Sequence, residues 1–179
     1  MRLDEFYGVF REYEDERKRA EELAAGISAM AKEAIENRED VEGLDGLFES
    51  ARGMVREHPF LSPVFEGAFQ SCCEARLFLS YLRDGSIDPP GDTDPRICLE
   101  ALRRLVRDLR RHFLVRMDRA DVDEARKAFE AMEDLLKVIE RVDGTAEDLE
   151  SMVEKSREEL YDYKRKREDL DLDDVWFRR

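Results

Sequence analysis

The chain has 179 residues, enough for one domain with a sizeable core. Lys and Arg number 31 against 45 Asp and Glu, a formal net charge of −14, and charged and apolar residues each make up 42%. No stretch approaches the ~20 apolar residues of a membrane span. Leu, Phe, Met and Val recur throughout, which argues against disorder, and nine Gly and three Cys exclude collagen-like and disulfide-scaffold classes. The start, Met1-Arg2-Leu3-Asp4-Glu5, has no apolar run of the secretory kind. The cysteines, Cys72, Cys73 and Cys98, are odd in number and lack C-x-x-C spacing, so a cytoplasmic, reducing compartment is expected. Gln70 and Asn37 are the only side-chain amides, and Arg outnumbers Lys 24 to 7. That pattern suits a hot or salty cell, so the acidity does not exclude an anionic partner.

Helical spacing of apolar residues runs the length of the chain. A first helix is predicted over about Asp4–Asn37, with Leu3, Phe6, Phe10, Tyr13, Leu23, Ile27, Met30 and Ile35 as its apolar positions. A second, about Val41–Arg56, carries Leu44, Leu47, Phe48, Met54 and Val55 and is closed by Pro59. Ser62-Pro63 opens a third that runs to about Arg83, with Gly85 as its stop. Pro89-Pro90-Gly91 marks a loop, and Asp94-Pro95 starts a fourth helix to about Met117. Asp121-x-x-Glu124 reads as a capping box for a fifth helix that ends near Gly144. Thr145 caps a sixth, about Ala146–Arg167. No segment alternates as a strand would. The expectation is all-α: residues 1–167 as a single helical-bundle domain, and 168–179 as an acidic tail ending in Trp176-Phe177-Arg178-Arg179.

The fourth helix departs from the acidity of the rest. Between Arg96 and Arg119 eight arginines face only Glu100, Asp108 and Asp118, a local excess of five positive charges. Arg103, Arg104, Arg107, Arg110 and Arg111 fall within an arc of roughly 120°. Leu99, Leu102, Leu105, Val106, Leu109 and Phe113 form a separate stripe suited to a core. Guanidiniums fork onto anionic oxygens, so the five arginines are candidate nucleic-acid contacts. Five single-strand phosphate contacts would give a salt slope near −3.5 and about a 100-fold loss of affinity from 50 to 200 mM salt. The same row can equally pair with acidic neighbouring helices or another subunit.

Carboxylate pairs such as Glu21-Glu22, Glu158-Glu159 and Asp173-Asp174 read as solvated faces in so acidic a chain. His58 and His112, the only histidines, cannot build a poly-histidine metal centre; His58 reads as a cap or surface residue and His112 as surface. The cysteines read as small core residues. No Gly-rich phosphate loop or nucleophile elbow occurs.

Several segments in order resemble the translin family. Phe69-Gln70-Ser71-Cys72-Cys73-Glu74-Ala75 is similar to its F-Q-E-x-x-E-A, and Leu82-Arg83-Asp84-Gly85-Ser86-Ile87 to its F-L-K-x-G-K-I. Leu105-Val106-Arg107-Asp108-Leu109-Arg110-Arg111 stands where that family has L-T-G-E-L-R-R. Ala128-Phe129-Glu130-Ala131-Met132-Glu133 and Val153-Glu154-Lys155-Ser156-Arg157 resemble two later motifs, so the resemblance spans Phe69 to about Leu160. It implies a bundle of six or seven helices, assembly into a homo-oligomer or with a related subunit, and binding of single-stranded RNA or DNA. It also implies, in the family's translin-associated members, a metal-dependent endoribonuclease with a carboxylate cluster.

That cluster is degenerate here. Of its four carboxylates only Glu74 and Asp108 remain, with Ser71 and Arg104 in the other two places and Arg107 replacing the motif glycine. A guanidinium at a cation site repels the ion. The resemblance therefore implies a nucleic-acid-binding protein without nuclease activity and without a cofactor, Mg²⁺ entering only if Glu74 and Asp108 still serve a working site. The alternatives are a non-catalytic assembly subunit, which the aromatic pair Trp176-Phe177 would suit, and a retained endoribonuclease.

Overall fold

A computed structural model describes the backbone of residues 3–176 except Asp92 and Thr145, and the side chains of residues 7–165 with the same exceptions. It contains six α-helices and no strand among the described residues: α1 (Leu3–Asn37), α2 (Leu44–Glu57), α3 (Ser62–Asp84), α4 (Pro95–Asp118), α5 (Val122–Asp143) and α6 (Glu147–Trp176), with a 3-10 turn at Pro59–Leu61 before α3. The all-α expectation holds, and no described helix is long and apolar enough to cross a membrane.

The chain divides into two compact units, Met1–Ala101 and Leu102–Arg179. In the first, α1 lies along α3, and the contact face of α1 is Ala20, Ala24, Ile27, Ala31 and Ala34, all buried. Their spacing of three and four puts them on one stripe, and alanine lets the helix backbones approach closely. The larger apolar residues expected to face inward do so only in part. Leu23, Met30 and Ile35 flank the core, whereas Phe10 and Tyr13 are exposed; the side chains of Leu3 and Phe6 lie outside the described residues. Leu44, Phe48 and Ala51 of α2 and Phe65, Ala68, Cys72 and Ala75 of α3 complete this core.

In the second unit the buried positions are Leu102, Leu105, Val106, Leu109 and Phe113 of α4, Phe129, Met132, Leu135 and Ile139 of α5, and Leu149, Val153 and Leu160 of α6. The segments that resemble translin motifs owe much of their pattern to this core. Ala128, Phe129, Met132, Val153 and Ser156 are buried, while Arg157 turns outward to Glu133 at 2.5 Å.

Local chemistry sets most boundaries. Gly85 ends α3 in the left-handed region at φ 79°, and its N–H donates to the Tyr81 carbonyl at 2.9 Å. Asp94 caps α4, its Oδ1 accepting the Arg96 N–H at 2.8 Å. Pro59 falls in the 3-10 turn rather than at a plain stop, with His58 ending α2. The capping box expected at Asp121 and Glu124 does not form. The Asp121 carboxylate instead takes Arg116 at 3.2 Å and Glu124 takes Lys127 at 2.6 Å, because charged partners within reach outcompete the backbone amides. The Thr145 cap lies outside the described residues. α6 continues past Arg167 to Trp176, since no Gly or Pro interrupts residues 146–176 and Glu, Lys, Arg and Leu favour a helix. The Trp176 side chain and Phe177 lie outside the described residues.

Candidate nucleic-acid interface

The arginine row lies on α4, opposite its buried stripe. Around the helix the order is roughly Arg110, Arg103, Arg107, Arg111, Arg104, at ~100° per residue. The two ends of that arc approach the edge of the core, and its middle is the part furthest from it. Burial follows the order. Arg107 and Arg111 have side chains 52% and 80% exposed, whereas Arg103 and Arg110 are 20% and 11% exposed and Arg104 is half-buried.

Acidic side chains of α5 and α6 meet most of the row. Arg110 forks onto Glu159 through two bonds, Nη1 to Oε2 at 2.5 Å and Nη2 to Oε1 at 2.7 Å, and its guanidinium sits 5.3 Å from the centre of the Phe113 ring. The Arg110 hydrogen bond holds the Glu159 carboxyl below its ordinary range, against a smaller opposing effect of burial. Arg103 pairs with Asp143, and Arg107 reaches Asp148 at 3.0 Å. Arg111 approaches Asp108 within its own helix at 3.3 Å.

These pairs differ in kind. Arg110–Glu159 is sheltered and bidentate, so opening it leaves a half-buried charge. Arg107–Asp148 and Arg111–Asp108 hold arginines that water already reaches, and such pairs are worth about 0–1 kcal/mol. A phosphate can displace an exposed carboxylate from Arg107 at little cost. It cannot take Arg110 without breaking the contact between α4 and α6.

Glu74 and Asp108, the two carboxylates at positions that resemble the translin motif, lie in different units. Glu74 is half-buried on α3, and the neighbouring Ser71 hydroxyl bonds back to the Gly67 carbonyl at 3.0 Å, as helix-interior serines do. Asp108 is buried on α4; its Oδ1 faces Arg111, and its Oδ2 has no hydrogen-bond partner. Among the described residues no group of three or more His, Cys, Asp or Glu could hold a metal ion.

His112, expected at the surface, is buried. It lies on the same side of α4 as Leu105 and Leu109, seven residues after one and three after the other, and its Nε2 accepts from Arg116 Nε at 3.3 Å. His58 takes the cap position at the end of α2, as expected.

No family model matches the chain, and no curated protein matches it in sequence. Solved structures do match in fold. The structure of apo-NeC3PO aligns with a TM-score of 0.70 at 16% identity, over 91% of this chain and 94% of that one. AfC3PO aligns at 0.67 and 19% identity, over 92% and 94%. The AfC3PO–duplex RNA complex aligns at 0.68 and 19% identity, over 92% and 93%. The chain therefore has the all-α, translin-type fold of the C3PO structures. The resemblance read from its motifs and the likeness of its backbone agree.

Proposed function

We propose that this chain is a translin-like RNA-binding protein that holds single-stranded RNA without cleaving it, and that Arg107 and Arg111 are its phosphate contacts. The observation that carries this reading is their exposure at the centre of the basic face of α4. The fold is shared with a structure solved in complex with duplex RNA, which supports RNA binding. Arg103 and Arg110 are then structural residues, their charges committed to Asp143 and Glu159. Arg104, where the family cluster has a carboxylate, adds a positive charge that disfavours Mg²⁺ and favours phosphate.

A second reading is favoured by the ion pairs themselves: the arginine row serves to join helices, and the chain is an assembly subunit. The exposed Tyr7, Val9, Phe10, Tyr13 and Phe60 offer it an apolar patch for a second copy or a related subunit.

The experiment is incubation of the purified chain with end-labelled single-stranded RNA, a duplex of the same sequence and single-stranded DNA, with Mg²⁺ or Mn²⁺. Retention of intact RNA is the expected result. Metal-dependent cleavage that is lost in Glu74→Ala would overturn the non-nuclease reading. Failure to retain any nucleic acid, combined with a multimeric mass, would favour the assembly subunit.

A further inference from the structure

The first unit holds a cavity of about 300 Å³ where α2, the start of α3 and the start of α4 meet. Its apolar lining is Phe48 and Val55 of α2, Phe69 of α3 and Ile97 of α4. Two neighbours brace the half-buried Phe69 ring. Phe65 stacks on it with centroids 5.7 Å apart, and Phe48 meets it edge-on at 5.1 Å. A ring held on two sides is a rigid platform for another flat group.

The polar lining is cationic, although the chain is acidic. Phe48, Arg52 and Arg56 follow one another at intervals of four, so one face of α2 lines the cavity. Arg56 is exposed and makes no ion pair among the described residues. Arg52 meets Glu49 at 3.2 Å, a surface pair that an anion displaces at little cost. Among the described residues the one carboxylate in the lining is Asp94, and its Oδ1 is engaged by the Arg96 N–H at 2.8 Å. Ser62 begins α3 and Asp94 caps α4, so two helix N-termini bring partial positive charge to the same cavity.

We propose that this cavity binds a single nucleotide unit, its base against Phe69, Val55 and Ile97 and its phosphate on Arg56 and Arg52. The volume lies at the small end of ligand pockets, which suits one such unit. Phosphate oxygens match forked guanidiniums and helix N-termini together. An apolar side chain of a partner protein would leave both arginines unused. The unit is either a free mononucleotide or an unpaired nucleotide of an RNA strand, since a base stacked inside a duplex does not present its face. Arg107 and Arg111 belong to the other unit, and the proposal stands without them.

The test is NMR of the full chain with isotope-labelled Ile and Val methyl groups, titrated with adenosine monophosphate and, separately, with ribose phosphate. The ring current of a bound base moves nearby methyl signals, and a bare anion has none. Adenosine monophosphate should shift the Val55 and Ile97 methyl signals saturably at millimolar concentration or below, and ribose phosphate should leave them in place. Arg56→Glu changes an exposed side chain and should weaken binding at least about ten-fold. Phe69→Leu should bind adenosine monophosphate no better than ribose phosphate. The Arg107→Glu, Arg111→Glu double variant should titrate like the wild type, so this proposal and the reading of the α4 face fail separately. A single-stranded oligoadenylate that shifts the same methyls at lower concentration than the mononucleotide, while an RNA duplex does not, assigns the site to an RNA strand. Equal or weaker binding of the oligoadenylate assigns it to a free nucleotide. Methyl signals that stay in place with both adenylate probes, shifts that ribose phosphate reproduces, or binding that Arg56→Glu leaves intact would each overturn the proposal.

Discussion

Truncating Glu159 tests whether Arg110 is a structural residue. The pair is bidentate at 2.5 and 2.7 Å, with Arg110 only 11% exposed and Glu159 35% exposed. Removing one partner of a fully buried pair costs about 3–5 kcal/mol, and an exposed pair is worth about 0–1. Arg110 is nearer the first case and Glu159 the second, so after allowance for solvent screening Glu159→Ala should cost about 2 kcal/mol. At a denaturant sensitivity of roughly 2 kcal/mol per molar urea, the unfolding midpoint should drop by about 1 M. Asp148→Ala, which frees the exposed Arg107, should shift it by no more than about half of that. The pH dependence adds a signed check. The carboxyl of Glu159 is held below its ordinary range, so its contribution is complete above about pH 5 and is lost as pH falls through the depressed folded value. The stability gap between wild type and Glu159→Gln should therefore narrow from pH 7 to pH 3. Equal costs for Glu159→Ala and Asp148→Ala at pH 7, or a gap that widens in acid, would refute the reasoning.

Asp108→Asn should be neutral or stabilising by up to about 1 kcal/mol, because among the described residues its buried Oδ2 has no hydrogen-bond partner and the Arg111 it pairs with is exposed. A urea titration showing a large loss of stability would mean that Asp108 holds a charge the chain needs. Ala31→Leu should cost at least about 1–3 kcal/mol by overpacking the close α1–α3 contact, read as a lowered melting temperature. Two glycines of α3 and its cap should respond in opposite directions. Gly85→Ala should lose about 1 kcal/mol because φ is 79°, whereas Gly67→Ala, exposed within the helix with open space around it, should gain about 1 kcal/mol. Paired thermal melts of the two variants check this.

The helices were legible because their signals are local. Asp94-Pro95, Gly85 and Gly144 mark ends through caps and φ preferences that need no tertiary information, and Pro63 marks the start of α3, although Ser62 is its first helical residue and makes no side-chain cap bond. The core of α1 is not legible in this way, since residue size does not track burial along it. Phe10 and Tyr13 look like core residues, but Ala20, Ala24, Ala31 and Ala34 are what a close helix contact requires. The capping box failed for a related reason: the pattern at Asp121 is local, but Arg116 and Lys127 compete for the same carboxylates. The neighbours Arg110 and Arg111 suggest a surface position for His112, whereas the helical period puts it on the buried side of α4.

The arginine row was legible as an arc but not as a set of roles. Periodicity alone makes Arg103, Arg104, Arg107, Arg110 and Arg111 equivalent. What separates them is which acids α5 and α6 bring alongside. Asp143 and Glu159 are 40 and 49 residues from their partners, a distance no local pattern spans.

The central claim, that exposed arginines of α4 bind RNA phosphates, is tested most directly by a salt series of fluorescence anisotropy titrations. The probe is a short labelled single-stranded RNA, and the proteins are the wild type and an Arg107→Glu, Arg111→Glu double variant of unchanged circular dichroism. Two phosphate contacts predict a slope near −1.4 in log affinity against log salt, rather than the −3.5 expected of all five arginines. The double variant should lose at least ten-fold in affinity at low salt, and its slope should flatten. Wild-type binding that is absent at low salt, or binding that the double charge reversal leaves intact, would contradict the account.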